Sequence, residues 1–226
     1  MFTITKNELK NELFSLKSIV IIGIYIGVAY LIGQYGPAVA AVLPNGDSKL
    51  YTTLFSAYEI LGFVFAAIIF SGVFTREIET QTIRFLIPYM NRTKIYLGKY
   101  LAILSYFIVL IVVSICIVGV LKRQFVLPWG PFFKAVGFFM YVSSITLLIS
   151  LVSKNVKNAG FVSLIISFGS FVIYISANIS NNVLLQLINF VLPYQYIDND
   201  YGTIILTVLA LIFGLLGWKI FMKKEV

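Results

Sequence analysis

The sequence predicts an all-α, polytopic membrane protein with six transmembrane helices, and three observations carry that expectation. Hydrophobic residues fill 60% of the 226 positions and charged residues only 12%, about half the share a soluble domain uses to dress its surface. The apolar residues gather into six runs, each near the ~20 residues that cross the hydrocarbon core of a bilayer. The 17 lysines and arginines, which set a net charge of +8, fall mainly in the short segments between those runs. Topology signals belong there. A patch of basic residues beside exposed aromatics is absent, so nucleic acid is not an expected partner.

Taken in order, residues 1–17 set Leu9, Leu13 and Leu16 at i, i+4 and i+7, with Lys6, Glu8, Lys10 and Glu12 elsewhere around the helix. This is the pattern of an amphipathic helix lying on the membrane interface. Its acidic residues do not suit a cleavable signal peptide. Spans are expected at 18–35, 52–74, 97–120, 132–152, 159–180 and 202–221. The segment 181–201 holds an apolar stretch, 183–191, too short to cross and closed by Pro193. It is expected to dip into the outer interface and return, with Tyr194, Tyr196 and Tyr201 at headgroup level. The whole chain, 1–226, reads as a single transmembrane domain.

Orientation follows from the basic residues. With the N-terminus inside, the inner segments hold 13 of them and the outer segments only Lys49, Lys122, Arg123 and Lys134. The positive-inside rule then puts both termini in the cytoplasm. A multi-pass protein of the cell (plasma) membrane is the expectation.

Composition also excludes chemistry. Histidine is absent and Cys116 is the only cysteine, so an internal disulfide, a Cys/His metal site and a His-based triad are all ruled out. No catalytic set and no metal site are expected, and the chain is not read as an enzyme.

The segment 75–99 is the most informative. Its first part carries Glu77 and Glu79 and its later part Arg84, Arg92, Lys94 and Lys99, an order that complements a helix dipole. Ile78, Thr82, Phe85 and Leu86 form an apolar face, Glu77 and Arg84 point elsewhere, and Pro88 ends the helix. An amphipathic cytoplasmic helix between two spans is a docking element for a partner, or else a helix resting on lipid.

These residues resemble the loop after the second span in type-2 ABC-transporter permeases. The matching positions are Glu77, Glu79, Thr82, Pro88, Asn91-Arg92, Ile95 and Gly98-Lys99. Gln81 stands where that family usually has glycine, and Pro88 lies nearer the threonine than the family pattern expects. The likeness covers about 25 residues and is moderately specific. Six spans, an N-terminal interfacial helix and an outer half-dipping segment are what the family's architecture implies.

The resemblance implies a permease subunit of an ATP-driven exporter, paired with a second permease copy or a sister permease. ATP and Mg would be bound by a separate ATP-binding ABC subunit, and no cofactor by this chain. In agreement, the phosphate loop G-x-x-x-x-G-K-[ST] is missing: Gly98-Lys99 runs into Tyr100. Contact with the ATPase would fall to Glu77, Glu79, Thr82, Arg84, Phe85, Pro88 and Arg92. The cargo would be apolar or amphipathic, such as a peptide toxin or bacteriocin in an export or immunity system.

Glu59 is the one carboxylate inside a span. A charge there is costly and is a functional candidate by default. The family analogy puts a translocation path between the second and fifth spans, where Glu59, Phe63, Phe161, Ser167 and Phe168 would line it. Gly23 and Gly27 form a G-x-x-x-G that suits close helix packing, within the chain or between copies. Two alternatives stand beside the exporter: an ion- or proton-coupled secondary transporter using Glu59, and a membrane sensor that transports nothing.

Overall fold

The computed structural model describes residues 2–40, 46–86, 90–123, 128–180, 182–197 and 201–224. Among them every regular element is helical: α1 (Phe2–Leu13), α2 (Leu16–Ala40), α3 (Gly46–Phe70), α4 (Thr75–Glu79), α5 (Ile83–Leu86), α6 (Arg92–Lys122), α7 (Trp129–Val152), α8 (Val156–Ile179), α9 (Val183–Asn189) and α10 (Gly202–Lys223), with a 3-10 turn at Pro193–Tyr196. Six of these, α2, α3, α6, α7, α8 and α10, are long and apolar enough to cross a membrane. Their order matches the expected spans.

The bundle is built around α3 and α7. In each, 72% of the apolar window is buried, against 28% in α2 and 22% in α8 and α10. The core is largely aromatic: Phe107 stacks on Phe139 with ring centroids 4.2 Å apart, and Tyr25 meets Tyr58 edge to face at 4.4 Å. Outer faces such as Ile165 and Val172 of α8 stay exposed. Helices apolar all round are buried or face lipid, and these do both on opposite sides.

Small residues set the α3–α8 contact. Ala159, Ser163, Ser167 and Ser170 of α8 are buried, and the absence of bulk lets the two backbones approach. Gly23 and Gly27 behave otherwise: a Cβ on either would meet nothing within 4 Å. Among the described residues, the G-x-x-x-G leaves room for a Cβ at both glycines.

Three expectations need correction. The N-terminal helix ends at Leu13, and the chain turns at Phe14–Ser15. Leu9 and Leu13 pack against the core, whereas Leu16 opens α2 and is exposed. The stripe faces α6 rather than running on through Leu16.

The segment after α3 is not one helix. It divides into α4 and α5 because Gln81 takes a left-handed backbone, φ 58°, a conformation that breaks a right-handed helix. Ile83 anchors α5 and is fully buried, while Thr82 is exposed. Ile83, not Thr82, is the apolar contact here. Pro88 lies outside the described residues, as do the side chains of Phe85 and Leu86.

Tyr194 and Tyr196 do not present their rings to the surface of the bundle. Both are buried, and only Tyr201 is exposed. Tyr194 sits among Phe138, Phe171 and Tyr174, and its hydroxyl donates to the Ile60 carbonyl at 3.4 Å. Tyr196 donates to Phe190 at 2.6 Å, and Tyr141 to Val191 at 2.8 Å. These bonds pin the α9 segment, whose Val183, Leu184 and Leu187 remain exposed. The turn closes so tightly on α10 that a Cβ at Gly202 would lie 1.9 Å from the Tyr196 carbonyl oxygen.

Candidate coupling site at the basic end of the bundle

One end of the bundle gathers α1, α4, α5, the start of α6, the α7–α8 connection and the end of α10. Its centre is Lys99, on the second turn of α6 and only 1% exposed. A buried ammonium needs partners for three N–H groups. Lys99 Nζ donates to Glu8 Oε1 at 2.5 Å, to Glu77 Oε1 at 2.8 Å and to the Val73 carbonyl at 3.2 Å. The Phe74 ring lies 5.2 Å from the same nitrogen. One cation thus joins α1, the turn after α3, α4 and α6.

One further contact fixes the same elements. Thr5 of α1 donates to the Gly98 carbonyl at 3.0 Å, next to Lys99. Burial and the neighbouring Glu8 hold the Glu12 carboxyl above its ordinary range.

A helix start leaves backbone N–H groups without partners. At α4 these are met from α7: Ser150 Oγ accepts from the Phe74 and Thr75 N–H groups at 2.9 and 3.1 Å, and Thr75 Oγ1 donates to the Ser150 carbonyl at 2.5 Å. At the start of α8, Glu79 Oε2 accepts from the Val156 N–H at 3.1 Å. A carboxylate at a helix N-terminus also suits the helix dipole. The α4 segment is therefore clamped to α7 on one side and α8 on the other.

The start of α6 is capped by Asn91, whose side chain accepts from the Thr93 N–H at 3.1 Å. Arg92 turns away from α4. Its Nη1 donates to the Phe221, Met222 and Lys224 carbonyls at 3.3, 3.1 and 2.8 Å, closing the C-terminal end of α10, where cations belong. Lys224 donates in turn to the Leu151 carbonyl, and burial pushes its ammonium pKa down.

The seven residues expected to meet an ATPase thus separate into groups. Glu77, Glu79 and Arg92 each bond to the chain's own helices, while Glu77 Oε2 is buried with no hydrogen-bond partner among the described residues. Thr82 and Arg84 are exposed beside Gln81 at the tip of the α4–α5 turn. Ser150, Lys99 and Glu8, which hold the turn in place, were not singled out as interacting residues in the sequence. For Lys99 the signal was present: a lysine inside the first two turns of an apolar run needs a carboxylate to accompany it.

The five residues expected along a substrate path do not converge within one chain. Phe63 and Ser167 are buried in helix contacts, while Phe161 and Phe168 are 67% and 57% exposed on the outer face of α8. Glu59 is buried and opens on a separate cavity of about 330 Å³, towards the other end, shared with Thr52, Ser56, Lys134 and Ile197. A carboxylate and an ammonium from two helices therefore line one cavity, a placement invisible from the span of Glu59 alone.

No protein-family model and no curated protein matches this chain.

Proposed function

We propose that the chain is the permease subunit of an ATP-driven exporter of the type-2 ABC class, with its basic end in the cytoplasm and the α4–α5 turn as the point where a separate ATPase pushes. The observation that carries this reading is the Lys99 hub together with the Ser150 and Glu79 clamps. A force applied to the exposed turn passes through the charge-assisted Lys99 bonds into α1 and α6, through the buried Ser150 bonds into α7 and through the Glu79 carboxylate into α8. Charge-assisted bonds are roughly twice as strong as neutral ones. A loop merely resting on lipid has no need of rigid attachment to four helices.

The motif residues support the same reading. Gln81 holds a left-handed conformation at the position where the family has glycine, the residue for which that conformation is cheapest. Asn91 caps α6 where the family has serine, and both are good N-caps. The helix order, with α1 before the first span and the α9 segment before the last, agrees with that family's architecture. A second permease copy or a sister permease completes the transporter, and the cargo is apolar or amphipathic, such as a peptide.

The test is co-purification of a separate ABC-type ATPase in mild detergent. The ATPase is expected to remain bound to the native protein and to be lost on Arg84→Glu, which alters an exposed tip residue outside the hub. Retention of full binding and full transport-coupled hydrolysis by Arg84→Glu and by Thr82→Arg sinks the assignment.

Glu59 favours a second reading, a proton- or ion-coupled carrier, because its cavity also holds Lys134. That reading requires transport to vanish in Glu59→Gln and to proceed with no ATPase present.

A further inference from the structure

A second cavity, of about 310 Å³, lies between α6, α7 and α10 in the half of the bundle nearest the basic end. Its walls include Tyr96, Leu97, Tyr100, Leu211, Leu215 and Trp218. The polar atoms of the three aromatic residues are all turned into the wall. Tyr96 donates to the Gly214 carbonyl at 2.9 Å, Tyr100 to the Met140 carbonyl at 3.2 Å, and Trp218 Nε1 to Thr93 Oγ1 at 3.3 Å. What faces the cavity is carbon. Leu211 and Leu215 are more than half exposed, so the groove opens on the outer surface of the bundle, where the membrane lies.

Hydrocarbon is the occupant that loses nothing there, since a polar group would forfeit hydration without gaining a partner. The rim supplies charge. Lys94 precedes Leu97 by three residues on α6, and Lys219 follows Leu215 by four on α10, so each sits one turn beyond a wall residue towards the basic end. Both lysines are exposed. We propose that the groove binds an acyl chain of an anionic phospholipid whose phosphate is held by Lys94 and Lys219. Basic rims on apolar grooves between membrane helices recognise such headgroups.

The chain itself provides the reporter. Trp218 lines the groove, and the only other tryptophan is Trp129, at the start of α7 and the far end of the bundle. In Trp129→Phe protein reconstituted into phosphatidylcholine vesicles, brominated phosphatidylglycerol and brominated phosphatidylcholine are compared as quenchers of Trp218. A lysine near the surface contributes about a fivefold preference for anionic lipid. Phosphatidylglycerol is therefore expected to quench at a several-fold lower mole fraction, and Lys94→Gln/Lys219→Gln to remove that difference. Equal quenching by the two lipids in the Trp129→Phe protein overturns the proposal. So does a preference that survives loss of both lysines.

Discussion

Glu77 Oε1 and Lys99 Nζ stand 2.8 Å apart, at a point where the lysine is 1% and the glutamate 20% exposed. The pair joins a short helix after α3 to the second turn of α6. Glu8 reaches the same nitrogen from α1, so two carboxylates depend on one ammonium. Removal of the cation leaves like charges facing each other with little water between them.

Lys99→Met is therefore expected to destabilise the protein by about 2–3 kcal/mol, below the full cost of breaking a buried pair because both glutamates are about a fifth exposed. Adding Glu8→Gln and Glu77→Gln should recover more than half of the loss. Thermal unfolding in detergent measures both. A single variant as stable as the native protein shows that the hub holds nothing together.

Gln81→Gly should raise stability by about 0.5–1 kcal/mol, because glycine adopts the left-handed backbone without steric cost. Gln81→Val should lower it, since a β-branched residue is least suited to that conformation. Equal melting temperatures for the two variants contradict the geometry of the turn.

Gly202→Ala should cost about 3 kcal/mol or more, since its Cβ would collide with the backbone oxygen of Tyr196. The comparison is Gly23→Ala, where a Cβ meets only open space, and it should leave the unfolding of the single chain unchanged. Similar losses at the two positions contradict the packing of the Pro193–Tyr196 turn on α10.

Glu79→Ala should weaken the start of α8 by about 0.5–1 kcal/mol, the range for a lost N-cap. The effect should appear as faster amide exchange at 156–159, with little change in α6. Unaltered exchange there shows that the carboxylate does not cap the helix.

The spans were legible because each needs only an apolar run of sufficient length, a property of the sequence itself. The fully buried Ile83 and the exposed Thr82 were not, because helical periodicity assumes an unbroken helix and Gln81 interrupts it. Tyr194 and Tyr196 failed for another reason. Their rings suit an interface equally well, and only the return of the chain into the bundle, with carbonyls for both hydroxyls, decides for burial. The partner of Glu77 lies on a different helix, and residue spacing within one helix carries no information about the next.

On the proposed function, the exposed tip of the α4–α5 turn is gripped by a separate motor. A photo-crosslinking amino acid placed at Arg84 and activated in intact membranes tests it most directly. An adduct with a separate ABC-type ATPase is expected, lost when that ATPase is deleted. Adducts with phospholipid alone, in cells that express the ATPase, contradict it.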